Sequence, residues 1–254
     1  MPSRKKAKGK ERKAKKEDAS KVKPGELLAN LPLQDRSKCG HGCHTTPLAK
    51  NHICWRFVRK FEVELNAVVD ASIAAGTAGA LTNFQACDQV IHHLKRGNQF
   101  DEIWNNVANQ TMLIPIFVSL GTNLLLREHD RLDSLAGVVA IATLSCSHNF
   151  DIRLVLESKS DRKVLRNLED GIVYDSVRYY YKKIAACNCL KAKYNQVKSN
   201  PKYGLCNHCT KEKERKDLLL CGRCKYSHYC GVDCQKADYS EHQHWCHFSI
   251  VDDS

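Results

Sequence analysis

Apolar residues recur along this chain with helical spacing. Phe61, Leu65, Val68 and Val69 share one face, with the small Ser72 next on it, and Gly76 and Gly79 are expected to end that helix. Thr82-Asn-Phe-Gln85 reads as a capping box, in which the Thr hydroxyl and the Gln side chain each satisfy a free N–H of the first turn. Leu81, Phe84, Cys87, Ile91 and Leu94 then follow one face up to Gly97. Further helices are predicted over residues 100–109, a Pro115-kinked apolar stretch, and residues 134–145, 160–169 (closed by Gly171) and 175–186. Alternating strand patterns are scarce, no Asn-Gly or Asp-Gly pair separates two β-branched runs, and no fixed period suggests a solenoid. The expectation is a mainly α fold, with an all-α domain of six to eight helices over residues 55–200.

That domain offers little chemistry. It has no phosphate-binding glycine loop, nucleophile elbow or His-Glu-x-x-His helix, so its apolar stripes read as core and no catalytic residue is expected. His92 and His93 are adjacent, point in different directions and read as surface or partly buried residues.

Composition sharpens the picture. The 254 residues leave room for one mid-sized domain and a small module, and 43% apolar with 27% charged residues excludes wholesale disorder. The formal charge is +12, but residues 1–23 hold 11 Lys and Arg against 3 acids, with no aromatic residue to bury. That segment is expected to be a disordered basic tail. Residues 24–54 read as a linker carrying Cys and His residues. The start lacks an apolar signal region, and the stretch 112–126, interrupted by Pro115, Ser119, Gly121, Thr122 and Asn123, falls short of the ~18 apolar residues a membrane helix needs. An intracellular location, nuclear or cytoplasmic, and no membrane contact are therefore expected. The 14 cysteines should then be reduced, which points to metal ligands and buried thiols.

Eight potential ligands fall within residues 206–246: Cys206, Cys209, Cys221, Cys224, Cys230, Cys234, His242 and Cys246. They suffice for two closed tetrahedral zinc sites. Each C-x2-C pair forms a knuckle that turns both sulfurs toward one ion, whereas Cys230/Cys234 and His242/Cys246 read as i, i+4 pairs on one helical face. His208, His228, His244, His247 and Asp238 are competitors, and His244 should point away from the His242/Cys246 ion. Spacing alone permits both sequential and interleaved sets.

Cys-x2-Cys, Cys-x2-Cys, Tyr229-Cys230, Cys234-Gln235-Lys-Ala-Asp-Tyr239, His242 and Cys246 together resemble the MYND-type zinc finger, a small peptide-binding module, expected here over residues 203–250. The resemblance implies interleaved binding of two zinc ions, Cys206, Cys209, Cys230 and Cys234 holding one and Cys221, Cys224, His242 and Cys246 the other. RING fingers fit worse, since their last ligand pairs are typically C-x2-C. In peptide-binding members, Gln and Trp of a Cys-Gln-x3-Trp run help bind short proline-containing peptides, which implies Gln235 and Tyr239 as contacts. Tyr239 stands where the family usually has Trp, keeping an amphipathic ring with less area, and Gly222 stands where some members have Ser. The run Ile184-Ala-Ala-Cys187-Asn-Cys189-Leu, with Tyr194 and Val197-Lys-Ser, resembles proteins in which a helical domain of unknown activity leads into such a finger. A third metal site shared by Cys39, His41, Cys43, His44, His52, Cys54, Cys187 and Cys189 is a further arrangement, set against ordinary loop residues and buried thiols.

The functional expectation is a zinc-binding protein-interaction protein, adaptor or regulatory, without enzymatic activity. One alternative is non-specific, salt-dependent nucleic-acid association through the basic tail. Another is a SET-type lysine methyltransferase relative, because Asn51-His52-Ile53-Cys54 is superficially similar to a SET motif. Trp55, Arg56 and Phe57 follow it in place of x-Pro-Asn, the piece precedes the finger rather than following it, and the β-rich SET pattern is absent. Counting zinc-bound cysteines as thiolates takes the finger from formally neutral to about −3 and the chain to about +9, so the basicity sits on the tail.

Overall fold

The computed structural model describes residues 51–75, 82–127, 130–169, 173–184, 187–244 and 246. The basic tail, most of the linker, Leu81, His247 and the glycines at 76, 79 and 171 lie outside the described residues. The fold is mainly α. Helices α1 (Ile53–Ala74), α2 (Asn83–Arg96), α3 (Asp101–Trp104), α4 (Val107–Leu126), α5 (Asp130–Cys146), α6 (Ile152–Glu157), α7 (Lys159–Glu169) and α8 (Val173–Tyr179) lead into a π-helical turn (Tyr180–Ile184) and α9 (Asn188–Val197).

The helices start where the capping chemistry puts them. The Thr82 hydroxyl accepts from Gln85 N–H, and the Gln85 side chain accepts from Thr82 N–H, so the predicted capping box opens α2. His52 Nδ1 accepts from Cys54 N–H at 3.2 Å to cap α1, while the buried Cys54 thiol donates to the Asn109 carbonyl at 3.4 Å. The Asn-His-Ile-Cys run thus serves as a helix cap and a core contact. The single helix expected over residues 100–109 is divided instead: α3 ends at Trp104, and Asn106 caps α4 by accepting from Ala108 and Asn109 N–H. Helices α6 and α9 were not legible from apolar spacing because each is short and buries few side chains, Val155 in α6 and Leu190 and Val197 in α9.

The core forms where α4 packs against α5 and α1, with α2 against both of these. Phe57 packs edge-on against Phe100, Trp104 and Phe117, with ring centroids 5.1, 5.3 and 6.2 Å away, and Phe61 meets Phe117 at 5.0 Å. Pro115 is carried inside one continuous helix. With Val107 to Thr111 included, α4 becomes long and apolar enough to cross a membrane, contrary to the shorter stretch read from the sequence. Its Leu113, Ile116, Phe117 and Leu125 are buried among the other helices.

Two close approaches knit the later helices to this core. Gly121 on α4 faces the Tyr180 ring and hydroxyl, with no room for a Cβ. Gly137 on α5 likewise lets the buried Asn83 side chain pass and donate to the Leu168 carbonyl at 3.0 Å, joining α2, α5 and α7. Apolar spacing placed Phe84 on the buried face, but Phe84 is half-buried and Asn83 takes the interior position because Gly137 leaves space for it.

After α9 the chain changes character. Strands β1 (Tyr203–Leu205) and β2 (Glu212–Glu214) pair antiparallel, with Gly204 opposite Lys213. A 3-10 turn (Arg215–Asp217) leads to β3 (Leu219–Leu220), which pairs antiparallel with β4 (His228–Tyr229), and α10 (Val232–His242) follows.

Candidate metal centre

The two C-x2-C knuckles are built alike. Thr210 N–H bonds to the Cys206 carbonyl at 2.8 Å, and Lys225 N–H bonds to the Cys221 carbonyl at 2.9 Å. Thr210 and Lys225 each take a left-handed conformation, with φ of 56° and 54°, to close these turns. In each knuckle the closure holds both sulfurs on the inside of the turn.

β4 decides which later ligands meet which knuckle. His228 N–H donates to the Asn207 side-chain oxygen at 2.7 Å, and Asn207 N–H donates to the His228 carbonyl at 2.8 Å. These bonds hold β4 beside the first knuckle, so Cys230, just past β4, donates its N–H to Cys206 Sγ at 3.3 Å. The same β4 pairs with β3 and so closes the hairpin carrying the second knuckle. Helix α10 then spans both sites, with Cys234 in its first turn and His242 as its last residue, about 12 Å along the axis.

Two sets result: Cys206, Cys209, Cys230 and Cys234, and Cys221, Cys224, His242 and Cys246, each with all ligand atoms within 4.8 Å of one another. They are the interleaved sets. Neither x3 pair lies within a single helix, contrary to the i, i+4 expectation. Cys230 precedes α10 and Cys246 follows it, so each pair straddles a helix end. The competitors are elsewhere: Asp238 accepts from the Tyr229 hydroxyl at 2.7 Å, His208 and His244 are exposed, and His228 is buried away from both sets.

The donor atoms fit zinc. Tetrahedral zinc with bonds of about 2.3 Å to sulfur sets neighbouring sulfurs about 3.8 Å apart. Cys209 and Cys230 sulfurs are 3.6 Å apart, as are those of Cys221 and Cys246. His242 Nε2 lies 3.3 Å from Cys221 Sγ and 3.6 Å from Cys224 Sγ. Its other nitrogen, Nδ1, faces the buried Ser227 hydroxyl at 3.3 Å, which aims Nε2 at the site. Burial lowers the His242 pKa, favouring the neutral imidazole that ligates.

The thiols point the same way. Burial opposes ionisation of Cys206, yet backbone N–H groups of Cys209, Cys230 and His208 draw it down to about 6. Burial and the neighbouring Cys206 and Cys209 thiols push Cys234 up to about 12, and burial with Cys221 does the same to Cys246. Four sulfurs in one hole cannot all ionise unaided, and a divalent cation removes that conflict. Each set fills a four-coordinate shell, so zinc there supplies folding energy.

The second knuckle is held from outside the finger. On α7, Arg162 donates to the Cys224 carbonyl at 3.4 Å and Arg166 to the Lys225 carbonyl at 3.1 Å. From the 3-10 turn Arg215 donates back to the Arg166 and Asn167 carbonyls at 2.9 and 3.1 Å, to the Asn167 side chain, and to the Tyr203 carbonyl at 2.7 Å. Arg215 also lies 3.4 Å from Asp175, whose side chain is 3% exposed and which Arg178 approaches at 3.4 Å and Lys202 at 3.9 Å. His228 is buried, and burial, with Arg215 and Arg166 nearby, depresses its pKa to about 3, so it stays neutral. Ser227, Asn207, Arg162, Arg166 and Arg215 escaped the sequence reading, because single polar residues up to 62 positions from their partners leave no local pattern.

A compact finger with two interleaved four-ligand zinc sites defines the class of this region. Residues 206–246 match the family described as MYND finger, so the chain carries a MYND-type zinc finger C-terminal to a helical region. The relatives include the MYND-type zinc finger protein samB of Aspergillus clavatus, of Aspergillus terreus and of Neosartorya fischeri, each 44% identical over 36 residues. Those residues are 14% of this chain and span 6% of each of these much longer relatives. No solved structure matches.

Gln235 is half-buried on α10, and Tyr239 is 52% exposed one turn further on. Cys187 is buried and caps α9 by accepting from Leu190 N–H at 3.4 Å, with Cys189 half-buried after it. Cys39, His41, Cys43 and His44 lie outside the described residues. Among the described residues the two zinc sets are the only groups of three or more close ligands.

Proposed function

We propose that the protein is an adaptor or regulatory protein whose finger binds extended segments of partner proteins, proline-containing peptides among them. One observation carries the reading. Eight large apolar side chains are exposed among the described residues, and four belong to the finger: Leu219, Leu220, Val232 and Tyr239. None of the four takes part in the hydrogen bonds that fasten the finger to α7. Strand β3 carries two of them, and α10 carries the others with Gln235 between. Strand β3 pairs along one side only, with β4, which leaves an edge for backbone pairing, and α10 offers side-chain contacts, the two kinds of contact an extended peptide uses. Gln235 is the hydrogen-bonding contact in this reading and the Tyr239 ring the surface on which proline packs.

The role is binding rather than catalysis, because neither zinc set keeps a position open for water. A reducing, intracellular setting suits thiolate ligands. The test compares the intact, zinc-loaded chain with a Gln235→Ala, Tyr239→Ala variant in partner capture and in titration with proline-containing peptides. Loss of roughly tenfold or more in affinity at unchanged zinc content supports the finger as the binding surface. Equal capture by both forms refutes it.

A further inference from the structure

A second surface lies before the finger. Residues 176–205 contain seven basic residues, Arg178, Lys182, Lys183, Lys191, Lys193, Lys198 and Lys202, and no acidic one. Arg178 and Lys202 turn inward to the buried Asp175. The other five make no ion pair among the described residues, whereas Lys60, Arg131, Arg153 and Lys216 each meet a carboxylate.

Three of these lysines, Lys182, Lys191 and Lys198, accompany two stacked rings. Tyr181 of the π-helical turn and Tyr194 of α9 lie 4.7 Å apart between centroids with planes 26° apart, and both are half-exposed. Lys182 Nζ sits 5.4 Å from the Tyr194 ring centroid. On α9, Lys191, Tyr194 and Lys198 follow i, i+3, i+7 spacing and share a face, while Leu190 and Val197 face the interior. Lys191 and Lys198 are both exposed and stand about 10 Å apart along the helix, close to the rise of three nucleotides in a strand.

We infer that this lysine and tyrosine surface on the π-helical turn and α9 binds single-stranded nucleic acid, the lysines taking phosphates and the tyrosine pair offering a ring face to a base. Lysines alone suit any polyanion, but half-exposed rings set among lysines favour a partner that brings flat aromatic groups with its charge. An acidic peptide would be held chiefly through its carboxylates, which the lysines alone satisfy. Its residues are other than those proposed for peptide binding on the finger and other than the basic residues of positions 1–23.

The test is fluorescence-anisotropy titration of a labelled single-stranded oligonucleotide of mixed sequence with the intact, zinc-loaded chain over a range of salt concentrations. The basic N-terminal residues are kept in every variant, so their contribution is constant. Lys191→Ala with Lys198→Ala should weaken binding and reduce the logarithmic salt slope by roughly 0.7 for each phosphate no longer neutralised. Tyr194→Leu should weaken binding about fivefold or more, the loss of one stacked base, and leave the salt slope unchanged. Helical circular dichroism and zinc content check that each variant is folded. Wild-type affinity and slope in the double lysine variant overturn the proposal, since the N-terminal residues then account for all binding. An acidic peptide that displaces the oligonucleotide at equal charge concentration also overturns it, in favour of a protein partner, and so does a Tyr194→Leu variant with unchanged affinity.

Discussion

The helical region and the finger reach stability by different means. In the helical region the largest buried side chains are Tyr180, Phe57, Phe61, Phe117, Leu65 and their aliphatic neighbours, packed across several helices. In the finger the interior is Cys206, Cys221, Cys224, Cys246, His242, Tyr226, Ser227, His228 and Tyr229, with Leu218 the one buried aliphatic side chain among its described residues. A module this small cannot exclude enough apolar surface from water to offset its chain entropy, so metal ligation takes the place of a core. The difference also explains their surfaces. A finger that spends few apolar residues inside can present Leu219, Leu220, Val232 and Tyr239 outside, whereas the helical region keeps most of its own within.

Removing zinc should break the comparison most sharply. Structural zinc sites contribute on the order of 10–16 kcal/mol of folding free energy. Chelation is expected to erase hydrogen-exchange protection of finger amides from Tyr203 to His242, while α4 and α5 keep theirs. Loss of protection throughout α4 and α5 would mean that the two regions fold as one unit.

A smaller effect is expected at their junction. Arg215, with a side chain 10% exposed, faces the 3% exposed Asp175 and donates to several backbone carbonyls. Arg215→Ala leaves a buried carboxylate short of one partner, an expected loss of about 3 kcal/mol in denaturant unfolding. Arg215→Lys should recover little, because an ammonium cannot reproduce the guanidinium fork. Two zinc ions per chain should persist in both variants. Wild-type stability in Arg215→Ala would reduce the junction to a surface contact.

The smallest effect lies within the helical region, at the start of the helix that holds the finger. Asp161 on α7 pairs with His148 at 2.9 Å. Burial works to raise its pKa, but hydrogen bonds from His148 and Ser158 prevail and hold the carboxyl below its usual 3.8. The folded state therefore binds this proton less readily than the unfolded chain. The stabilisation is complete above the unfolded pKa of 3.8 and is lost as pH falls through the lower folded value. Asp161→Asn should flatten that part of the acid limb in denaturation midpoints measured against pH, and an unchanged acid limb would show that the pair contributes nothing.

Much of this was legible in the sequence for a physical reason. The Thr82 capping box and the Phe61/Leu65 face are local, set by residues three or four positions apart, and zinc's demand for sulfur and nitrogen donors singles out eight ligands by type and spacing. Spacing could not choose between sequential and interleaved sets, because either closes two tetrahedra. Only the tertiary structure decided it, through the backbone bonds between Asn207 and His228 that bring β4, and with it Cys230, to the first knuckle. The same holds for the fastening of the finger to α7 by Arg162, Arg166 and Arg215, and for the tyrosine pair that joins Tyr181 to Tyr194. Such contacts depend on where separate elements come to rest, and no local periodicity encodes them.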